Sequence, residues 1–183
     1  MRIHVLALDD VFDLGLSAVL DAFRTANELA DISGLSGERF EIKIVAVTKS
    51  VKTSQGLTVP LEAIGARAPD CVVVPAIGFK MPEPLEAALA RPDIQDAAAL
   101  LEKWARKGAM MTAACIGTFI MAESGLLDHQ RATTLFRRLT NSADNPRSKA
   151  SLSASTWTRM ANMISTTSLM PTKSFGDCSH RPS

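Results

Sequence analysis

Ala109-Met-Met-Thr-Ala-Ala-Cys115-Ile-Gly117-Thr-Phe-Ile-Met-Ala-Glu-Ser-Gly125-Leu-Leu-Asp128 runs from an apolar, strand-like segment into a helical pattern, with one cysteine at the junction. A cysteine on a strand-to-helix turn projects out of the sheet and stands near the helix N-terminus. The macrodipole and the free N–H groups there favour thiolate over thiol. This is the geometry of a nucleophile elbow, in which a small residue such as Gly117 relieves crowding. The same Cys115 also reads as a small buried apolar residue at a tight turn, where free cysteine is common.

Working outward, Ile3–Leu8 is a short apolar run ended by Asp9 and Asp10, which reads as a buried strand. Apolar residues then recur at helical spacing between Leu14 and Leu29, with Asp13 standing before them as a candidate N-cap. Residues 32–38 read as a loop, Phe40–Val47 as a second strand, and Val51–Val59 as a hairpin around Gln55-Gly56. Asp70-Cys-Val-Val-Val-Pro75 reads as another buried strand, β-branched and stopped by proline. Helices are expected over Pro84–Ala90 and Ile94–Lys107, the second closed by Gly108 as C-cap glycine. Strands alternating with helices predict a parallel sheet covered on both faces. The expected fold is therefore a three-layer α/β/α sandwich with a mostly parallel, flavodoxin-like sheet and a nucleophile elbow. Ligands of such sheets sit beyond the carboxyl ends of the strands, so the turns after Leu8, Val74 and Ala114 should converge on one crevice.

With 183 residues, 46% of them hydrophobic and 21% charged, the chain is long enough to bury a real core. A formal charge of +1 points to neither nucleic acid nor an acidic membrane as partner. Three irregularly spaced cysteines form neither a disulfide framework nor a zinc site, and they fit a reducing cytoplasm. No apolar stretch approaches the roughly 20 residues that span a bilayer. No metal or cofactor is expected. The character changes after Arg138: residues 139–183 hold 16 Ser or Thr, and five Lys or Arg against Asp144 and Asp177 leave a net +3. Residues 1–138 read as one domain, and 139–183 as a polar, weakly structured or aberrant tail with a short helix over 157–163.

A reactive thiolate needs a positive neighbour or an acid that moves its proton. Asp13 lies on the correct edge of the sheet to approach Cys115, and its N-cap role is compatible with that one. A histidine would complete a Cys-His-acid set, but His4 lies inside the first strand, His129 in a turn and His180 in the tail. Pro75-Ala76-Ile77-Gly78 follows a strand, so its N–H groups are candidates for an oxyanion hole or read as an ordinary turn. Cys71 reads as core and Cys178 as incidental. The expected pocket is lined by Ala76, Ile77, Gly78, Ile116 and Gly117.

Several blocks together resemble a known family: Val11–Phe23, Ser54–Val59, Val72–Pro75, Trp104–Met111, Ala114–Phe119, Ala122–Asp128 and Arg131–Thr134. Their order is similar to the PfpI/ThiJ superfamily, also called class I glutamine amidotransferase-like. Within it, they look most like the N-terminal domain of AraC-type (GlxA-like) transcriptional regulators, over roughly residues 1–138. The resemblance implies that Cys115 matches the elbow cysteine of the superfamily's enzymes and Asp13 its acidic helper. Those enzymes act in peptide hydrolysis, glyoxalase-like chemistry or isocyanide hydration. In the regulators, the resemblance implies a domain that senses a small molecule or dimerises, with paired helix-turn-helix units binding DNA. Relatives carry a histidine or aromatic residue soon after Ala-Thr-Thr, whereas Leu135-Phe136 follows here, and their double glycine is Ala76-Ile77 here.

The favoured expectation is a cytoplasmic ligand-sensing or dimerisation domain of an AraC-type regulator, truncated and lacking its DNA-binding domain. Its partners would be an unidentified small molecule and a second copy, with no DNA binding by this chain alone and no membrane. The alternatives are a small PfpI/ThiJ-type enzyme using Cys115 and Asp13, and a redox-responsive or chaperone-like protein whose Cys115 oxidises reversibly.

Overall fold

A computed structural model describes residues 1–79 and 81–128. The expected tail, its helix over 157–163, and His129, His180 and Cys178 lie outside the described residues. Four parallel strands, β1 (Arg2–Leu6), β2 (Glu41–Val45), β3 (Cys71–Val74) and β4 (Met110–Ala113), lie in the order β2-β1-β3-β4. Helix α1 (Asp13–Ile32) crosses from β1 to β2; α2 (Pro82–Leu89) and α3 (Pro92–Arg106) lie between β3 and β4; and α4 (Gly117–Glu123) follows β4. The 2-1-3-4 order is that of a flavodoxin-like sheet, whose direction of winding reverses between β1 and β3.

The alternating faces of each strand serve two separate cores. On one face, Ile3, Val5, Ala7, Cys71 and Val73 pack with Leu16 of α1, backed by Val19, Leu20 and Phe23. On the other, Leu6, Leu8, Val72 and Val74 meet Leu85, Ile94, Leu101, Trp104 and Ile120 from α2, α3 and α4. Every side chain of β3 is buried, which is why its sequence is continuously apolar rather than alternating. The buried residues of α3, Ile94, Ala97, Ala98, Leu101 and Trp104, follow one helical stripe. Its end is a Schellman motif: Gly108 takes φ +85°, its N–H reaches the Ala105 carbonyl, and Ala109 N–H reaches Trp104. The expected cap glycine is there, one position beyond the Lys107 cap itself.

Several boundaries differ by a few residues, and one of them has an identifiable reason. The second strand begins at Glu41, not Phe40, because the Asn27 side-chain amide takes both backbone groups of Phe40, donating at 2.9 Å and accepting at 2.8 Å. Helix α1 runs on to Ile32, three residues past the expected Leu29. The hairpin over 51–59 is present, with Lys52 bridged to Thr58 and Thr53 N–H bonded to the Leu57 carbonyl. No helix among the described residues is long and apolar enough to cross a membrane.

His4 is the buried polar residue of the described strands. It is 5% exposed, its ring meets Trp104 edge-on at 5.4 Å, and Nδ1 has no hydrogen-bond partner among the described residues. Burial first, then Lys43 and Arg2, hold the imidazole below its ordinary 6.5, against opposing pulls from Glu41 and Glu62. The unfolded chain therefore takes up a proton at a pH where the folded one still resists it. Stability is expected to fall as pH drops through 6.5 and to level off once folded His4 is also protonated. Urea midpoints between pH 8 and 5 check this: His4→Phe should lose that part of the pH dependence, and an unchanged slope would overturn it.

Candidate functional site

The chain leaves β1 through Asp9 and Asp10, the latter in the left-handed region at φ +63°, and enters α1 at Asp13. Beside it, the segment after β3 returns two hydrogen bonds: Phe12 N–H to the Ala76 carbonyl at 2.8 Å, and Gly78 N–H to the Asp10 carbonyl at 2.7 Å. The hairpin closes the other side, with Ser54 N–H on the Val11 carbonyl at 2.9 Å and Asp10 N–H on the Lys52 carbonyl at 2.8 Å. Thus the turn after β1 is wedged between the hairpin and residues 75–78. The turn after β4 joins through β3, where Ala114 N–H meets the Val74 carbonyl at 3.0 Å.

Cys115 stands at that last turn, exposed, with φ +52°. Holding a non-glycine residue there costs on the order of 1–3 kcal/mol, the strain expected of an elbow. The backbone recovers part of it, since Gly117 N–H bonds to Ala114 and Thr118 N–H to the Cys115 carbonyl. Cys71 is buried within β3, where loss of solvation pushes its thiol up.

Asp13 departs from its N-cap expectation. Phe12 occupies the N-cap with extended backbone and no side-chain capping bond, and Asp13 is the first helical residue. The reason is competition: the Ser54 hydroxyl donates to Asp13 Oδ2 at 2.8 Å and Gln55 N–H to the same oxygen at 3.2 Å, turning the carboxylate toward the hairpin. It keeps the benefit of the helix dipole from its place in the first turn. The Thr53 hydroxyl, and after it Ser54 and the Asp13 and Gln55 backbone N–H groups, outweigh desolvation and hold the carboxyl below its ordinary value. Among the described residues Asp13 Oδ1 is enclosed and without a hydrogen-bond partner, the Thr53 hydroxyl favouring the charged carboxylate without completing a bond to this oxygen. Among the described residues the carboxylate bonds Ser54 and Gln55, not Cys115.

Of the expected pocket residues, Ala76, Ile77 and Ile116 have side chains buried in the core that faces α2, α3 and α4. Gly117 is buried against the end of β3, and Gly78 is half-buried with its N–H committed to Asp10. Any contact of the three core residues with a ligand would use their backbone. His4 lies under Trp104 within the sheet, away from the elbow turn. No group of three or more His, Cys, Asp or Glu side chains among the described residues is arranged to hold a metal.

Sequence reasoning missed Ser54 as the partner of Asp13, 41 residues away, and Arg91, whose guanidinium grips the turn after β1 from 81 residues away. The only local signal for Arg91 was its place before Pro92-Asp93, which marks a helix start.

A model of the DJ-1/PfpI family matches residues 1–177. Among curated proteins, none matches the chain. Among solved structures, a DJ-1 superfamily protein from Agrobacterium tumefaciens is similar with a TM-score of 0.60 at 17% identity, over 82% of this chain and 71% of that one. An AraC family transcriptional regulator from Pseudomonas putida gives a TM-score of 0.53 at 19% identity, over 70% of this chain and 63% of the regulator. Oxidized DJ-1 from Toxoplasma gondii gives 0.53 at 18%, over 73% of this chain and 66% of that one. At these identities the likeness is one of fold.

Proposed function

Because the chain belongs to the DJ-1/PfpI family, we propose that it is a small-molecule-sensing domain of the kind carried by AraC-type regulators. The observation that carries this reading is the commitment of Asp13 to Ser54 and Gln55. A carboxylate held ionised by hydroxyls and an amide serves poorly as the acid that would shuttle a thiol proton. The Gly78 N–H, engaged with Asp10, and His4, buried under Trp104, support it further. In this reading, Cys115 and Asp13 flank a ligand site beyond the ends of β1, β3 and β4, and the sensing form is a homodimer in the cytoplasm.

The second reading is a cysteine-dependent hydrolase, glyoxalase-like enzyme or isocyanide hydratase with Cys115 as nucleophile. It is favoured by the exposed thiol at φ +52°.

A thermal-shift panel of small metabolites, run beside aldehyde and isocyanide turnover assays, separates the two. Sensing predicts saturable stabilisation, about 2.7 kcal/mol at 100 times the dissociation constant. That stabilisation needs no thiol chemistry, so it should be weakened but not abolished in Cys115→Ala. Turnover by the wild type that disappears in Cys115→Ala would overturn the sensing reading in favour of the enzyme.

A further inference from the structure

Arg91 spends its guanidinium on the β1 turn and on one acid of its own helix. Nη1 donates to Asp10 Oδ2 at 2.8 Å and Nη2 to the Asp9 carbonyl at 3.0 Å. Nε and Nη2 form a fork on Asp93, at 2.9 and 2.7 Å. The Asp93 fork fixes the side chain against α3, so the two remaining bonds hold the turn as a rigid strut would. What they hold is a left-handed aspartate, a conformation that persists only where its surroundings over-determine it.

From that turn the bonds continue in one direction. Asp9 Oδ1 accepts Lys52 N–H at 2.9 Å, and Asp10 N–H reaches the Lys52 carbonyl. Val11 receives Ser54 N–H, and the Ser54 hydroxyl then reaches Asp13. On the other side, Gly78 N–H meets the Asp10 carbonyl. The hydrogen bonds Asp9–Lys52, Asp10–Lys52 and Val11–Ser54 thus tie the hairpin to the two residues that Arg91 grips and to the residue that follows them.

We propose that Arg91 is a positioning residue for Asp13: it clamps the Asp9–Asp10 turn so that the hairpin can present Ser54 and Gln55 to the Asp13 carboxylate. Its importance for function rests on the reading that Asp13 borders the ligand site; the positioning itself does not.

The experiment compares wild type with Arg91→Gln, Asp10→Asn and the double variant. It follows amide hydrogen exchange at Ser54 and Gln55 and titrates the Asp13 carboxyl by carbon NMR. Exchange at both amides is expected to rise about tenfold in Arg91→Gln. The Asp13 titration should move to higher pH. Asp10→Asn, which removes the charge but leaves an acceptor oxygen and the Arg91 bond to the Asp9 carbonyl, should give smaller shifts in the same direction, and the double variant should add little to Arg91→Gln. Arg106→Gln, which breaks the Glu102 pair elsewhere on α3, should change neither. Unchanged exchange and unchanged titration in folded Arg91→Gln would overturn the proposal. If that variant does not fold, Asp10→Asn decides by the same two readings. Iodoacetamide alkylation of Cys115 and the thermal shifts given by the metabolite panel are measured alongside. If the NMR readings shift while both of these hold constant, Arg91 still positions Asp13, and it is the placement of Asp13 at the ligand site that falls.

Discussion

Gly117→Ala is expected to cost about 3–5 kcal/mol, a large part of the 5–15 kcal/mol that holds a typical domain together. A methyl group at this position would lie 2.3 Å from the Val74 carbonyl oxygen and 2.8 Å from that of Pro75. Both obstacles are backbone. The Val74 oxygen cannot retreat without giving up the Ala114 N–H that ties β4 to β3 at the elbow. The methyl group can be accommodated only by lifting α4, which would draw Ile120 and Met121 out of the core. Urea denaturation followed by circular dichroism checks the effect, and an unchanged midpoint would show that α4 does not press on the end of β3. Folded molecules that remain should alkylate faster at Cys115, because the turn that holds it has opened.

Trp104→Ala is expected to cost about 3–5 kcal/mol, the usual range for removing a large buried aromatic. Trp104 is 3% exposed in the core between α3 and the sheet, and its ring covers His4. The cavity left behind would adjoin the unpartnered His4 Nδ1, a polar atom that can recruit water. The variant should therefore be less stable at every pH and yet lose less stability on acidification, since a hydrated His4 charges with a smaller penalty. Trp104→Phe should fall between the two. Chemical denaturation at pH 8 and pH 5.5, read by circular dichroism, measures both quantities. Equal acid sensitivity in wild type and Trp104→Ala would mean that burial beneath Trp104 does not control the protonation of His4.

The strands were readable because a parallel sheet buries both faces, so Cys71–Val74 had to be written as an unbroken apolar run. The amphipathic stripe of α3 and the glycine after it were equally local signals. Reading failed where one side chain intervened in the backbone ladder. Asn27 is an ordinary polar residue in a helix until it captures both backbone groups of Phe40 and delays β2. Asp13 failed in the same way: an aspartate before a helical run satisfies every rule for an N-cap, and a hydroxyl 41 residues away drew its carboxylate elsewhere. Neither the Ser54 contact nor the Arg91 clamp has a characteristic spacing, because each is a meeting of loops that the sheet brings together.

The amino-acid sequence by itself determined the alternation of strands and helices, the parallel sheet and the position of the Cys115 elbow. All three are set by residue patterns within a few turns of chain, through burial periodicity and turn chemistry. Only the tertiary structure decided the environment of the site. The stacking of β1 between β2 and β3 brings the hairpin, the Asp9–Asp10 turn and Arg91 within hydrogen-bond reach of one another. That proximity sets the charge and direction of the Asp13 carboxylate, and with them the chemistry open to the crevice, because electrostatics depend on distance in space and not on separation along the chain.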